Sequence, residues 1–146
     1  MKFLLLLFIL VSCTNNIEYI NQCSNPFVDS VAIVVCVAII DGDTWKFAIG
    51  EDLFGIRVLG IDCFETRKGS RLTKQANKSG ISIDSALFLG KKAKEFANNL
   101  LFMKKITIIR DYNEDNMDVY GRLLRKVYIN QMSYDSLLII NHLIFE

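Results

Sequence analysis

Residues 56–66 read Ile56-Arg57-Val58-Leu59-Gly60-Ile61-Asp62-Cys63-Phe64-Glu65-Thr66. The stretch begins as an apolar strand and ends as a polar loop. It gathers Arg57, Asp62 and Glu65 in otherwise mostly apolar sequence. A guanidinium and two carboxylates are costly to desolvate unless water, each other, a metal or a ligand satisfies them. Read alone, the stretch is a strand running out to solvent, with Asp62 and Glu65 in its loop. Strict alternation puts Arg57 and Asp62, five apart, on opposite faces. A shared site therefore predicts an irregularity near Gly60, either a bulge or a strand end before Asp62.

Upstream, residues 31–40 form a β-branched run, read as a strand buried on both sides for much of its length. Asp41-Gly42-Asp43-Thr44 follows, and Asp-Gly is a strong turn signal because both residues tolerate positive φ. Residues 44–47 alternate polar and apolar, Gly50-Glu51-Asp52 turns the chain, and residues 53–61 read as a third strand. These three strands make a meander.

Downstream, residues 67–80 carry Arg67, Lys68, Arg71, Lys74 and Lys78 with no acid, among Gly69, Ser70, Ser79 and Gly80. The stretch reads as an exposed basic loop. From Ile81 the apolar spacing becomes helical through Leu101, with Ser82 as N-cap, Asp84 in the first turn, and Lys104 and Lys105 at the closing end. Residues 106–109 are a fourth strand, 110–118 an acidic loop, and 120–129 a fifth strand. After a turn at Asn130-Gln131, Ser133 caps a short helix over 134–143. The expected fold is α+β: a five-stranded OB-type Greek-key β-barrel with a helix between strands 3 and 4 and a short C-terminal helix.

The chain has 146 residues, is 51% hydrophobic and holds one proline, so it is a folded body of one domain rather than a disordered one. Part of that hydrophobicity belongs to the N-terminus. Lys2 precedes an unbroken apolar run over residues 3–11, too short to span a membrane and shaped like an export signal. Leu10-Val11-Ser12-Cys13 resembles the lipobox of bacterial lipoproteins, which implies removal of residues 1–12, lipidation of Cys13, and residues 13–30 as a tether. Export from a bacterial cell follows, with the chain lipid-anchored at the envelope or secreted. Loss of Lys2 would take the formal charge from +1 to zero. A neutral domain exerts no long-range pull on polyanions, so any nucleic-acid contact must be a local patch. Of four cysteines, Cys13, Cys23, Cys36 and Cys63, three remain if Cys13 is lipidated, so at least one stays free or pairs with another chain. No cysteine pair has metal-ligand spacing and His142 is the single histidine, which argues against zinc.

Three pieces share an order and spacing: Ile40-Asp41-Gly42-Asp43-Thr44; Arg57 with Asp62 and Glu65; and Asp118-Val119-Tyr120-Gly121-Arg122. Together they resemble the thermonuclease family, from about Val34 to the C-terminus. The resemblance implies a nuclease-like domain over 31–146 that cleaves phosphodiester bonds of DNA and RNA. It implies Ca2+ held by Asp43, Asp62 and the main-chain carbonyl of Cys63. It also implies that Glu65 activates the attacking water and that Arg57 and Arg122 grip the phosphate. Phosphodiester hydrolysis suits these groups: a hard cation on oxygen ligands, a carboxylate near water, and planar bidentate donors. Lys68, Arg71 and Lys74, leaving the same loop, are expected nucleic-acid contacts.

The sequence departs from the family in places. Cys63-Phe64 stands where thermonucleases usually show Thr-Pro, so the loop loses proline's rigidity. Val119 replaces a frequently basic residue, and the tyrosine pair of the family's nucleotide pocket has no equivalent. The chain ends at Glu146, earlier than usual, and Leu137, Leu138, Ile139, Ile140, Leu143, Ile144 and Phe145 are expected to lack their usual cover. Two other functions fit the same residues: an OB-type lipoprotein that binds nucleic acid without cutting it, and a truncated inactive surface lipoprotein. No protein partner is implied by the sequence.

Overall fold

Alternation along the first strand sets the inside of the barrel. In β1 (Val31–Ile39), Ala32, Val34 and Cys36 are buried while Val31, Ile33 and Val35 face outward. The strand is therefore buried on one face over its first half, not on both, because an antiparallel barrel packs only its inner face. The computed structural model describes residues 24–145. The expected signal segment, Cys13 and Cys23 lie outside the described residues.

β1 bends at a bulge between Cys36 and Ala38 and so serves two neighbours. Val31 to Val35 pair with β4 (Lys105–Ile109), and Cys36 to Ile39 pair with β2 (Thr44–Ile49). β2 pairs in turn with β3 (Asp52–Val58). β4 pairs with β5 (Leu123–Ile129), and a parallel pairing of Ile56 with Leu123 joins β3 to β5 and closes the ring. Five strands thus form a mixed OB-like barrel with three helices, and β6 (Met132–Ser133) adds a two-residue strand beside β5.

Two strands are shorter than their sequence suggests. β3 stops at Val58 because Leu59-Gly60 turns, with Gly60 at φ +81°. β5 starts only at Leu123, since Gly121 sits at φ +76° and the Asp118 carboxylate accepts from the Tyr120 and Arg122 amides.

The larger correction lies in residues 67–80. They contain a helix, α1 (Ser70–Ser79), where an exposed loop was expected. Its inward positions are only Leu72, Gln75 and Ala76, too few and too polar to show as a periodic apolar stripe. Gly80 ends it in the left-handed conformation at φ 65°. α2 (Ile83–Leu101) begins as expected: Ser82 accepts from the Ser85 amide and Asp84 lies in the first turn. At its other end Lys104 Nζ donates to the Asn99 carbonyl at 2.8 Å, while Lys105 belongs to β4. α3 (Tyr134–Ile140) buries Tyr134 and Leu138. Leu143 is also buried but Ile139 and Ile140 are exposed, so only part of the C-terminal apolar set lacks cover. No helix among the described residues is long and apolar enough to cross a membrane.

The main core gathers Trp45, Phe47, Ile56, Val58, Leu101, Ile106, Leu123 and Leu138 inside the barrel and under α2. A second, smaller core of Phe64, Leu72, Ala76 and Ala86 joins α1 and α2 to the loop after β3. Close approach makes this possible. A Cβ on Gly90 would lie 2.4 Å from the Glu65 carbonyl oxygen and 2.6 Å from that of Phe64. Glycine within α2 thus trades helix propensity for contact with the loop.

Helix propensity alone expects Gly90→Ala to stabilise by up to ~1 kcal/mol. The contact instead predicts destabilisation of about 1–3 kcal/mol, the usual cost of overpacking. The urea midpoint should fall; a raised midpoint would contradict the contact.

Candidate active site

Asp43, at the end of the β1–β2 turn, is 1% exposed. Burial of a carboxylate requires partners, and Asp43 has three kinds. One oxygen accepts the Cys63 amide at 2.5 Å, and the other accepts the Thr44 hydroxyl at 3.0 Å and pairs with Arg57. A single side chain thereby ties the turn, β2, β3 and the loop at residue 63 together.

Arg57 reaches from β3 to both sides of the expected irregularity. Its guanidinium pairs with Asp43 and, at 2.6 Å, with Asp62, and it donates to the Ile61 carbonyl at 3.1 Å. The strand end at Val58 and the turn at Gly60 turn the chain so that residues five apart meet. Burial works to lower the Arg57 pKa, but Asp43 and Asp62 outweigh it and hold the charge more firmly than in water.

Arg71 of α1 turns back to the same loop. Its Nη2 lies 3.1 Å from Asp62 Oδ1 and its Nε 3.0 Å from Glu65 Oε1. Arg122, after the Gly121 turn, pairs through Nε with Asp118 at 2.6 Å and donates from Nη1 to Thr44 Oγ1 at 3.2 Å. Its aliphatic part lies over Gly55 of β3, where a Cβ would come within 2.9 Å of Arg122 Cγ. Thr44, which ends the Asp-Gly-Asp-Thr motif but has no role assigned from sequence, is the bridge. It donates to Asp43 and accepts from Arg122, so one network runs Arg122, Thr44, Asp43, Arg57, Asp62, Arg71, Glu65.

The network unites Asp43, Arg57, Asp62, Glu65 and Arg122, which the sequence singled out. Among the three expected nucleic-acid contacts, Arg71 faces the carboxylates, Lys68 pairs with Asp84 at 2.8 Å, and Lys74 is exposed on α1. The Cys63 carbonyl accepts from Gln75 Nε2 at 3.0 Å. The Cys63 thiol is buried and unbridged, as is that of Cys36, and burial first, then Asp43, raises the Cys63 pKa. Asp41, Asp118 and Gln75 join the site without any part assigned to them beforehand.

Five carboxylates (Asp41, Asp43, Asp62, Glu65, Asp118) face three guanidiniums (Arg57, Arg71, Arg122) in this network. The surplus is negative and built from hard oxygen donors, which fits a divalent hard cation. Among the described residues no three His, Cys, Asp or Glu side chains form a ready cluster, because Arg57 lies between Asp43 and Asp62. The surplus is felt at Asp41. Burial, then the charge of Asp43, pushes its pKa up to about 7.

The five-stranded mixed barrel with its three helices is an OB-like fold of the staphylococcal nuclease type. The staphylococcal nuclease homologue family matches residues 55–142, more than half of the chain, and the chain belongs to that family. The match begins inside β3, so Asp41, Asp43 and Thr44 precede it and reach the site through the pairing of β2 with β3. The chain is also similar to an uncharacterized protein of Methanocaldococcus jannaschii, with 34% identity over 97 residues, 64% of this chain and 47% of that protein. The chain thus spans about half the length of the curated relative it matches.

Because the folded pKa of Asp41 lies above the ordinary 3.8, its stabilising effect is fully present below about pH 4 and lost as pH rises through about 7. With chelator present, the urea midpoint should fall between pH 5 and pH 8, and Asp41→Asn should flatten that slope. An unchanged slope in the variant would remove Asp41 as its cause.

Proposed function

We propose that the chain is an extracytoplasmic nuclease that hydrolyses phosphodiester bonds of DNA and RNA with Ca2+. The observation that carries this reading is the unbroken network from Arg122 to Glu65. It holds three guanidiniums, a carboxylate base and hard oxygen donors within one hydrogen-bonded unit. Asp43, Asp62 and the main-chain carbonyl of Cys63 would hold the cation, with Asp41 adding charge from the turn. When bound, the cation supplies charge neutralisation at the phosphate oxygens and acidifies a coordinated water.

The chain's own residues account for the rest. Glu65, in the loop beside Asp62, accepts the proton of the attacking water. Arg57 and Arg122 offer paired N–H donors to the non-bridging oxygens, where charge develops in the transition state. Arg57 bridges Asp43 and Asp62, so its guanidinium would turn from those carboxylates toward the phosphate when a cation enters between them. Lys68 and Lys74, exposed near the same loop, would supply local attraction for the polyanion.

Wild-type protein should cleave DNA and RNA with Ca2+ and lose that activity with chelator. Glu65→Gln should lower kcat by about 10²–10⁴, the usual contribution of a general base. Binding without cutting would replace this reading by a nucleic-acid-binding module, and neither would leave a surface lipoprotein.

The lipobox resemblance extends the proposal to the envelope, through a lipid on Cys13. Labelled fatty acid should appear on the wild-type chain, and Cys13→Ser should abolish the label and release the protein from the membrane fraction. A membrane-bound, unlabelled wild-type chain would rule this anchor out.

A further inference from the structure

Two side chains of α1, one turn apart, converge on residues 62–65. Gln75 is 4% exposed and uses both ends of its amide there. Its Oε1 accepts the Glu65 amide at 3.0 Å; its Nε2 donates to the Cys63 carbonyl at 3.0 Å and lies 3.4 Å from Asp62 Oδ2. Arg71 binds the side chains of the same loop, with Nη2 on Asp62 and Nε on Glu65. Gln75 sits beside the small apolar core of Phe64, Leu72, Ala76 and Ala86, where methionine would fill similar volume without a polar group to satisfy. What the amide adds is direction. It pins the main chain immediately before and immediately after Phe64, the position at which the loop lacks a proline.

We infer that Gln75, assisted by Arg71, is a positioning residue for the candidate catalytic loop. It fixes the Cys63 carbonyl and the Glu65 backbone in one register, and Arg71 aims the Asp62 and Glu65 carboxylates. The inference rests on the nuclease reading only for what this arrangement serves; the clamp itself is a property of the fold. Groups that orient metal ligands from behind typically change metal affinity by about 10–100-fold when removed.

Amide exchange tests the clamp without reference to activity. In the wild-type chain the Glu65 amide should exchange as slowly as amides inside α2, although it lies in a loop; fast exchange would overturn the inference. Gln75→Met should release that amide and weaken Ca2+ binding by about 10–100-fold in calorimetry, read well below the unfolding midpoint. Gln75→Glu keeps the acceptor for the Glu65 amide but loses the donor to the Cys63 carbonyl, so it should retain part of the Glu65 protection that Gln75→Met loses, which a purely volume-filling role would not require. If Gln75→Met fails to fold, wild-type exchange and Gln75→Glu still decide. Unchanged calcium affinity and unchanged Glu65 protection in Gln75→Met would sink the inference. Absence of any calcium binding by the wild-type chain would sink the nuclease reading instead, leaving amide exchange to judge the clamp.

Discussion

The carboxylate of Asp43 is the constraint around which the barrel mouth is arranged. It is almost wholly buried, and a buried carboxylate without partners costs several kcal/mol. Its partners come from different parts of the chain: the Thr44 hydroxyl beside it, Arg57 on β3, and the Cys63 amide twenty residues on. Thr44 is its neighbour, but Arg57 reaches it only once β2 pairs with β3, and the Cys63 amide only once the loop after β3 is in place. The Asp43 carbonyl adds to this by accepting the Val58 amide at 2.9 Å, at the end of β3. The desolvation penalty is therefore offset only in the correctly closed structure, which ties the site to the fold.

Distant elements then brace what Asp43 gathers. Tyr134, at the start of α3, donates its hydroxyl to the Gly42 carbonyl at 2.7 Å, supporting the turn that carries Asp43. The Phe145 amide donates to the Asp62 carbonyl at 2.6 Å, and its ring meets Phe64 edge-on at 5.4 Å. Gly90 lets α2 press against the carbonyls of Phe64 and Glu65. The loop at residues 62–65 is thus held by the turn, by two helices and by the C-terminal segment. That restores by contacts what a proline would supply by covalent geometry.

Charge follows a similar logic. Each guanidinium of the network lies against at least one carboxylate, and Arg57 and Arg71 each lie against two, yet carboxylates remain in excess. In a partly buried setting such an excess is relieved either by a bound cation or by a retained proton. At Asp41, burial and then the charge of Asp43 push the pKa up to about 7, in the direction of a retained proton.

These relations explain which parts of the molecule could be read from residues alone. The meander, the turn at Asp41-Gly42, the N-cap at Ser82 and the break at Gly60 are written locally, in β-branching, capping chemistry and glycine. Arg57, Asp62 and Glu65 stand out because charges in an apolar stretch are costly wherever the chain folds. α1 escaped because a ten-residue helix with three inward positions, one of them glutamine, has the composition of a solvated loop. β1 reads in sequence as buried on both faces because outward-facing Val31, Ile33 and Val35 look the same there as inward-facing residues. Gln75 and Gly90 carry no local signal at all, and Thr44 shows only as the last residue of its motif. Each acquires its meaning from a partner far along the chain or across the barrel: Gln75 from Cys63 and Glu65, Thr44 from Arg122, Gly90 from the carbonyls of Phe64 and Glu65. Residues that perform chemistry must differ from their surroundings and so announce themselves, whereas residues that hold them in place need only fit a contact that does not exist until the chain has folded.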